Sequence, residues 1–328
     1  MTRILTLDAI ERLAHDALVR AGASEGQARP VALSMRRAEA DGIPLVGLSY
    51  LVGYLANLRS GKVDGSAIPV VTRPRPASVA VDAANGFAHP AFDAGLPALV
   101  EAARADGVAM LGIRRSYTIG VLGHPVEDIA LRGLVALGFT NSPPNIAPWG
   151  GRKKLFGTNP LAFASPRAGA PPLVFDMASS VVAKVTMVNA AQRGAVPAGW
   201  ALDAEGRPTT DAAAALEGSM APLGGAKGAA LALLVDLLAG GLAGANFSRD
   251  AVPFAAPDPT PAGVGQLIIA FDPDAFAPGF VARVESLAAT ILADHGARLP
   301  GDRRLVARAK AEREGVAVDE AVLARIAG

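Results

Sequence analysis

The chain changes texture once, and that change limits the folds open to it. Up to about residue 65 it reads as helix. Thr6 is placed to cap a first helix in which Leu7, Ile10, Leu13, Ala17 and Leu18 recur at helical spacing, and Gly22 closes it. A second helix is expected over about Gln27–Ala40 and a third over about Leu48–Leu58. From Val70 short β-rich runs take over: Val79–Asp82, Val108–Ile113, Gly133–Phe139, Leu173–Asp176 and Leu267–Phe271. Gly and Pro punctuate them, and a helix is expected over about Ala91–Asp106. The Pro-rich stretch Ala251–Gly265 reads as a surface loop, followed by a final helix over about Pro278–His295. Strands mixed with helices give an α/β class, without an ordered strand–helix–strand series.

Composition narrows the function. A chain of 328 residues with 51% hydrophobic and 19% charged residues buries a large core and is not disordered. A net charge of +1 suggests neither a nucleic-acid surface nor a polybasic membrane anchor. With no cysteine, disulfides, thiolate nucleophiles and Cys-built metal sites are excluded. The four histidines, His15, His89, His124 and His295, lack metal-ligand spacing, so no metal is expected. His89 and His124 each precede a proline and read as capping or surface residues, or as functional ones; His15 and His295 read as exposed. Charges interrupt the first apolar stretch, so no leader segment is expected. The most apolar segment, Gly228–Ala245, contains Asp236 and reads as a buried helix rather than a membrane span. A cytoplasmic protein is expected.

No G-x-G-x-x-G follows a strand and no G-x-x-x-x-G-K-[ST] occurs, so the usual dinucleotide and P-loop fingerprints are missing. Gly224, Gly225 and Gly228 allow close backbone approach at a helix start, where Lys227 either meets a phosphate or is solvated at a tight turn. Arg298, Arg303 and Arg304 either clamp phosphates or form a basic face. Asp176 ends an apolar strand, where a carboxylate often caps the Ser179 or Ser180 N–H.

Five segments, in order, carry a resemblance. They are Gly157–Pro160 preceded by Asn145–Gly151, Asp176–Ser180, Pro197–Asp203 continuing to Pro208–Asp211, Pro222–Gly228 and Arg298–Arg304. Together they resemble the malate/L-lactate/sulfolactate dehydrogenase family, in the branch of sulfolactate dehydrogenases and cyclic imino-acid reductases. The resemblance implies a non-Rossmann fold with a mainly antiparallel central sheet and an N-terminal helical region. It also implies an obligate homodimer, a small-molecule substrate and NADH or NADPH, the basic 298–304 segment inclining the choice to NADPH. Residues 1–72 would form the helical part of a substrate and dimer domain, 73–265 the cofactor domain, and 266–328 a segment returning to the first. Cofactor contacts are implied for Ser116, Thr118, Gly120, Asp176, Met177, Ala178, Lys184, Lys227, Gly301, Arg303 and Arg304. Thr158 is implied to touch substrate.

The departures fall on the chemistry. Family members typically read Ser-His-Gly where this chain reads Leu45-Val46-Gly47. The resemblance implies that this His exchanges a proton with the substrate, oriented by the Ser and by an acid that becomes Thr186 here. An Arg implied to hold the substrate carboxylate becomes Tyr50, and a second His in some members becomes Tyr117. Leu and Val cannot donate a proton, and general acid catalysis contributes roughly 10²–10⁴-fold. Tyr117 is the replacement acid expected on position, or else an aromatic filling the space of a lost imidazole. Tyr50 and Tyr54, four residues apart on one helical face, either line the substrate cavity or join the core. The expected activity is NAD(P)-dependent reduction of a C=N or C=O group beside a carboxyl-type group on an atypical substrate. The alternatives are a cofactor-binding pseudoenzyme and a repurposed non-redox protein.

Overall fold

In the computed structural model, residues 1–255 and 258–328 are described. Strand β1 (Thr2–Leu5) leads into helix α1 (Leu7–Arg20), whose N-cap Thr6 accepts the Ala9 N–H at 3.2 Å. Helices α2 (Glu25–Ala40) and α3 (Leu48–Arg59) pack on it through Ile10, Leu18, Met35, Leu51 and Leu55. Strands β2 (Val70–Arg75) and β3 (Ser78–Asp82), helix α4 (Ala88–Asp106), strand β4 (Val108–Ser116) and helix α5 (Gly123–Ala130) follow. Then come β5 (Val135–Thr140), β6 (Leu161–Ser165), β7 (Leu173–Met177) and α6 (Lys184–Ala191). A small unit holds β8 (Ala201–Leu202), β9 (Pro208–Thr209), α7 (Ala212–Glu217) and β10 (Ser219–Met220). Helix α8 (Ala226–Val235) widens into a π-helical stretch over Asp236–Leu242 before β11 (Val264–Phe271). Helices α9 (Phe280–Ala293) and α10 (Asp302–Glu314), strand β12 (Val316–Asp319) and helix α11 (Glu320–Ala327) close the described chain.

The central sheet has the order β2-β3-β4-β11-β5-β6-β7. Only β3 and β4, joined across α4, run parallel; every other neighbouring pair is antiparallel. The mainly antiparallel sheet is therefore as expected. One face packs on α4 and α5 through Leu99, Leu111, Ile113, Val126 and Ile268. The other takes Val235 and Ala239 against Phe139 and Leu267. Strand β11 lies at the centre of the sheet and crosses the boundary expected at residue 265. The C-terminal chain returns to the start: β12 pairs antiparallel with β1, and Val318 and Ile326 join the core of α1–α3.

Three expectations need correction. The helix near residues 278–295 is not the last, because α10, β12 and α11 follow; α10 has no apolar stripe and buries only Ala311. The segment 228–245 is not buried throughout: Leu233, Leu234, Leu237 and Leu242 are 44–62% exposed. The stretch 251–265 is not simply a surface loop. Ala251 and Ala262 are buried, Phe254 packs on Tyr117 with ring centroids 4.9 Å apart, and residues 264 and 265 belong to β11. Residues 256 and 257 lie outside the described chain. No described helix is long and apolar enough to cross a membrane.

Candidate active site

A cavity of about 730 Å³ lies where the helical N-terminal layer meets the sheet. One wall is the turn Pro44–Val46 and the start of α3, which contribute Ile43, Val46 and Tyr50. The buried Glu39 carboxylate fixes that turn by accepting the Leu48 N–H at 2.7 Å, and it packs so closely on Gly47 that no Cβ fits there. Burial pushes the Glu39 carboxyl up from its ordinary value. Loops leaving the sheet build the opposite wall: Thr118–Val121 after β4, Thr140–Ser142 after β5, Thr158 and Pro160 before β6. Asp176 and Ala178 at the end of β7, Ala183–Val185 entering α6, Phe254, and residues 298–304 entering α10 complete it.

Most of the expected cofactor residues meet in this cavity. Thr118, Gly120, Asp176, Ala178, Lys184, Gly301, Arg303 and Arg304 line it, as do Val46, Tyr50 and Thr158 from the expected substrate set. The remaining positions are not on its wall. Leu45 and Thr186 are absent from it, as are Met177 and Lys227, the latter in the first turn of α8. Ser116 is buried, and its one hydroxyl proton is shared between the Val264 carbonyl at 2.9 Å and Gln266 Oε1 at 3.0 Å, which engages it in the sheet. Tyr54 is 1% exposed and stacks beneath Tyr50 on Phe87, which settles the two tyrosines into one wall residue and one core residue.

Tyr117 is also misplaced for acid catalysis. It is 3% exposed, enclosed by Tyr54, Phe87 and Phe254, and its hydroxyl accepts from Asn57 Nδ2 at 2.7 Å. Burial, reinforced by Tyr50, raises its phenol far above the ordinary value. It does not line the cavity but packs behind Phe254, which does, and that packing accords with the filling role weighed for it. His89 and His124 are not surface residues: both are buried, and His124 Nε2 sits 3.1 Å from Asp41 Oδ2. Asp176 does not cap Ser179 or Ser180; its Oδ2 accepts the Gly123 N–H at 2.8 Å.

The charges on the wall are tuned by enclosure. Desolvation in the cavity wall raises the Asp176 carboxyl to about 6, against the pull of the Gly123 N–H and Arg304, although the residue as a whole stays open to the cavity. Burial, helped by nearby Lys154, lowers the Lys184 ammonium to about 8. Arg304 donates to the Val174 carbonyl at 3.3 Å and lies 3.8 Å from Asp41. Gly301 has φ 93, and a Cβ there would stand 2.9 Å from the Val174 carbonyl oxygen, so only glycine turns the chain into α10 at this point. Arg298, with Thr140, Asn141 and Phe254, completes the wall; the last three sit at strand ends or in a loop, where no spacing in the sequence marks them.

These residues fit a nicotinamide nucleotide. The volume lies in the usual range for a cofactor site, roughly 300–1,000 Å³. Arg298, Arg303, Arg304 and the first turn of α10 would hold its phosphates, and Ile43, Val46, Tyr50 and Phe254 would pack on its apolar parts.

Comparison with known proteins agrees with that arrangement. The chain is 44% identical to a (2R)-3-sulfolactate dehydrogenase (NADP(+)) of Chromohalobacter salexigens, over 98% of this chain and 97% of that one. It is 40% identical to a Δ1-pyrroline-2-carboxylate reductase of Ancylobacter novellus, over 98% and 96%. The crystal structure of Δ1-piperideine-2-carboxylate reductase from Pseudomonas syringae pv. tomato superposes with a TM-score of 0.93 at 42% identity, covering 99% of both chains. The malate/L-lactate dehydrogenase profile matches residues 5–327, and the chain belongs to that family of oxidoreductases.

Proposed function

We propose that the chain uses NADPH, or NADH, to reduce a C=N or C=O group beside a carboxyl-type group, with a cyclic imino acid as the preferred class. The observation that carries this reading is the division of the cavity. Its basic rim and glycine turns suit the dinucleotide, while its inner end carries Val46 and Tyr50 where the family implies a proton-donating His and a carboxylate-holding Arg. Arg298, Arg303 and Arg304 favour NADPH through its additional phosphate. Bound nicotinamide would contribute the hydride. The chain contributes orientation: Thr158 offers a hydroxyl, and Lys184 offers a cation to the substrate carboxylate. An imine suits this pocket because a protonated iminium accepts hydride without a strong acid from the protein. Relatives named for pyrroline-2-carboxylate reduction support that choice.

The protein is proposed to be a cytoplasmic homodimer. The exposed Leu233, Leu234, Leu237 and Leu242 form an apolar strip suited to a second copy. Sedimentation or light scattering at micromolar concentration tests this; a monomer overturns it.

The function is tested by titrating NADPH and NADH, followed by turnover with Δ1-pyrroline-2-carboxylate, Δ1-piperideine-2-carboxylate, a 2-oxo acid and sulfolactate. Tighter NADPH binding and turnover of a cyclic imino acid are expected. Failure to bind either nucleotide refutes the reading. A second reading, a cofactor-binding pseudoenzyme, is favoured by the loss of every relay position together with the burial of Tyr117. Binding without turnover of any of these acids would select it.

A further inference from the structure

A second, narrower cavity of about 50 Å³ lies behind the first, between α2, α4 and α5. Leu33 and Asp93 are exposed at its mouth, and Ser34, His89 and His124 lie at its inner end. Gly120 separates the two cavities. It lines the first, and a Cβ built on it would stand 3.4 Å from His89 Nε2, 3.5 Å from Ser34 Oγ and 3.7 Å from the Tyr54 hydroxyl. With φ 67 and no side chain, Gly120 leaves a pocket the size of a methyl group, ringed by three polar atoms.

Two of the three belong to groups left without a partner. Among the described residues, the Tyr54 hydroxyl and both ring nitrogens of His89 are fully buried without a hydrogen bond. The Ile119 backbone lies beside His89 and Thr118 beside Tyr54, each without normal hydrogen-bond geometry. Leaving such groups unsatisfied destabilises the fold, which a water with two to four polar neighbours relieves. The second cavity has room for water, since a single molecule needs only roughly 10–15 Å³ of this kind of volume.

We propose that a water beneath Gly120 joins His89, Ser34 and Tyr54 into a path that delivers the reaction's proton from the second cavity to the Thr118 hydroxyl on the wall of the first. This rests on the reductase reading above. Reduction of a ketone or an unprotonated imine adds a hydride to carbon and a proton to oxygen or nitrogen. Thr118 gives its proton to that heteroatom and takes one from Tyr54. Tyr54 is refilled through the water from one nitrogen of His89, while the other nitrogen takes a proton from solvent. One solvent proton is consumed per turnover; the hydroxyls and the water reset by rotation, while His89 ends as the other neutral tautomer and resets by a ring flip.

The protonation states suit a relay. Burial, with the like-charged His124 nearby, lowers His89 to about 3, so its ring is neutral and has one donor and one acceptor nitrogen. Burial keeps Tyr54 protonated, with Tyr50 and Tyr117 acting in the same direction. The charged groups facing His89 are Arg37 on α2, Asp93 on α4, and His124 and Asp128 on α5. In this path Thr118 is the catalytic residue, and His89, Tyr54 and Ser34 are positioning residues.

The test is His89→Phe against His89→Gln in the full-length protein, with Ser34→Ala as the milder variant if Phe does not fold. The expected result is a kcat for a 2-oxo acid, whose ketone cannot arrive already protonated, at least about tenfold lower in His89→Phe and partly retained in His89→Gln. KM and the NADPH Kd should stay within about twofold, while the solvent deuterium isotope effect on kcat rises. A high-resolution crystal structure of the wild type should show a water bonded to His89 Nε2, Ser34 Oγ and Tyr54. No water there, or His89→Phe with unchanged kcat and isotope effect, overturns the relay alone. No turnover by the wild type overturns the reductase reading and the relay with it.

Discussion

Arg308 holds Glu127 through two hydrogen bonds, 2.6 Å from Nη1 and 2.7 Å from Nη2, and so ties α10 to α5. The same guanidinium contacts Asp41, and Arg37 adds bonds to Glu127 at 3.0 Å and Asp128 at 2.9 Å. The Asp41 side chain is fully buried and that of Glu127 nearly so. Removing one member of such a cluster leaves buried carboxylates short of a partner. Arg308→Met should therefore cost about 3 kcal/mol of stability, read as a lower denaturant midpoint. Arg304 lies one turn earlier on α10, so the same variant should also weaken NADPH binding. A variant as stable as the wild type would show that the cluster merely balances its own desolvation.

Acid should unfold the protein in two stages. His89 has its folded-state value lowered to about 3, so on acidification the unfolded chain takes up its proton first. Its contribution is complete above pH 6.5 and is lost as pH falls towards 3, roughly 2 kcal/mol by pH 5. Asp41 follows. Burial alone would raise it, but His124 and Arg308 outweigh burial and hold it at about 2. Its contribution is complete above pH 3.8 and is lost as pH falls through 2. Denaturant titrations from pH 8 to pH 4 should show the first loss in the wild type, and a flatter curve for His89→Phe. Parallel curves would place the acid sensitivity elsewhere.

What the sequence conveyed and what it concealed differ for physical reasons. Helical spacing and the Thr6 cap located α1 because that helix buries one face. The sequence Asp302–Glu314 carries charge all around, so nothing in its pattern separates α10 from a solvated loop, although Arg303 and Arg304 put it on the cavity wall. The cavity proposed for the dinucleotide had no glycine fingerprint to find. It is assembled from strand-end loops, and only the ordered family motifs indicated Asp176, Gly301 and Arg304. Tyr50 and Tyr54 share a helical face and the same spacing, so only the position of Phe87 decides which of them is covered. The burial of His89 gave no signal, because it depends on α2 and α5 closing over α4, contacts distant in sequence.

Tyr117→Phe separates the packed tyrosine from a catalytic one. The substitution keeps the ring against Tyr54, Phe87 and Phe254 and removes only the acceptor of Asn57 Nδ2. A loss of about 1 kcal/mol of stability is expected, with kcat within about twofold of the wild type. Abolished turnover with normal NADPH binding would return Tyr117 to the proton-donor role that its burial denies it.

The inner end of the cavity should accept the chemistry it has lost. Val46 and Tyr50 both face the cavity, so His at 46 and Arg at 50 would project towards the same substrate. Leu45 and Thr186 lie off the wall, which suits residues whose task is to orient an imidazole rather than to touch substrate. The combined variant Leu45→Ser, Val46→His, Tyr50→Arg, Thr186→Asp should raise kcat/KM for 2-hydroxy acids by about a hundredfold, the lower end of a recovered general acid–base group. Leu45→Ser with Thr186→Asp alone should gain nothing, because neither residue reaches the substrate. The decisive measurement is oxidation of sulfolactate and malate by the fourfold variant, beside its NADPH affinity. Unchanged affinity with no new oxidation would mean that positions 45, 46, 50 and 186 do not stand in for the family's relay, whatever their alignment suggests.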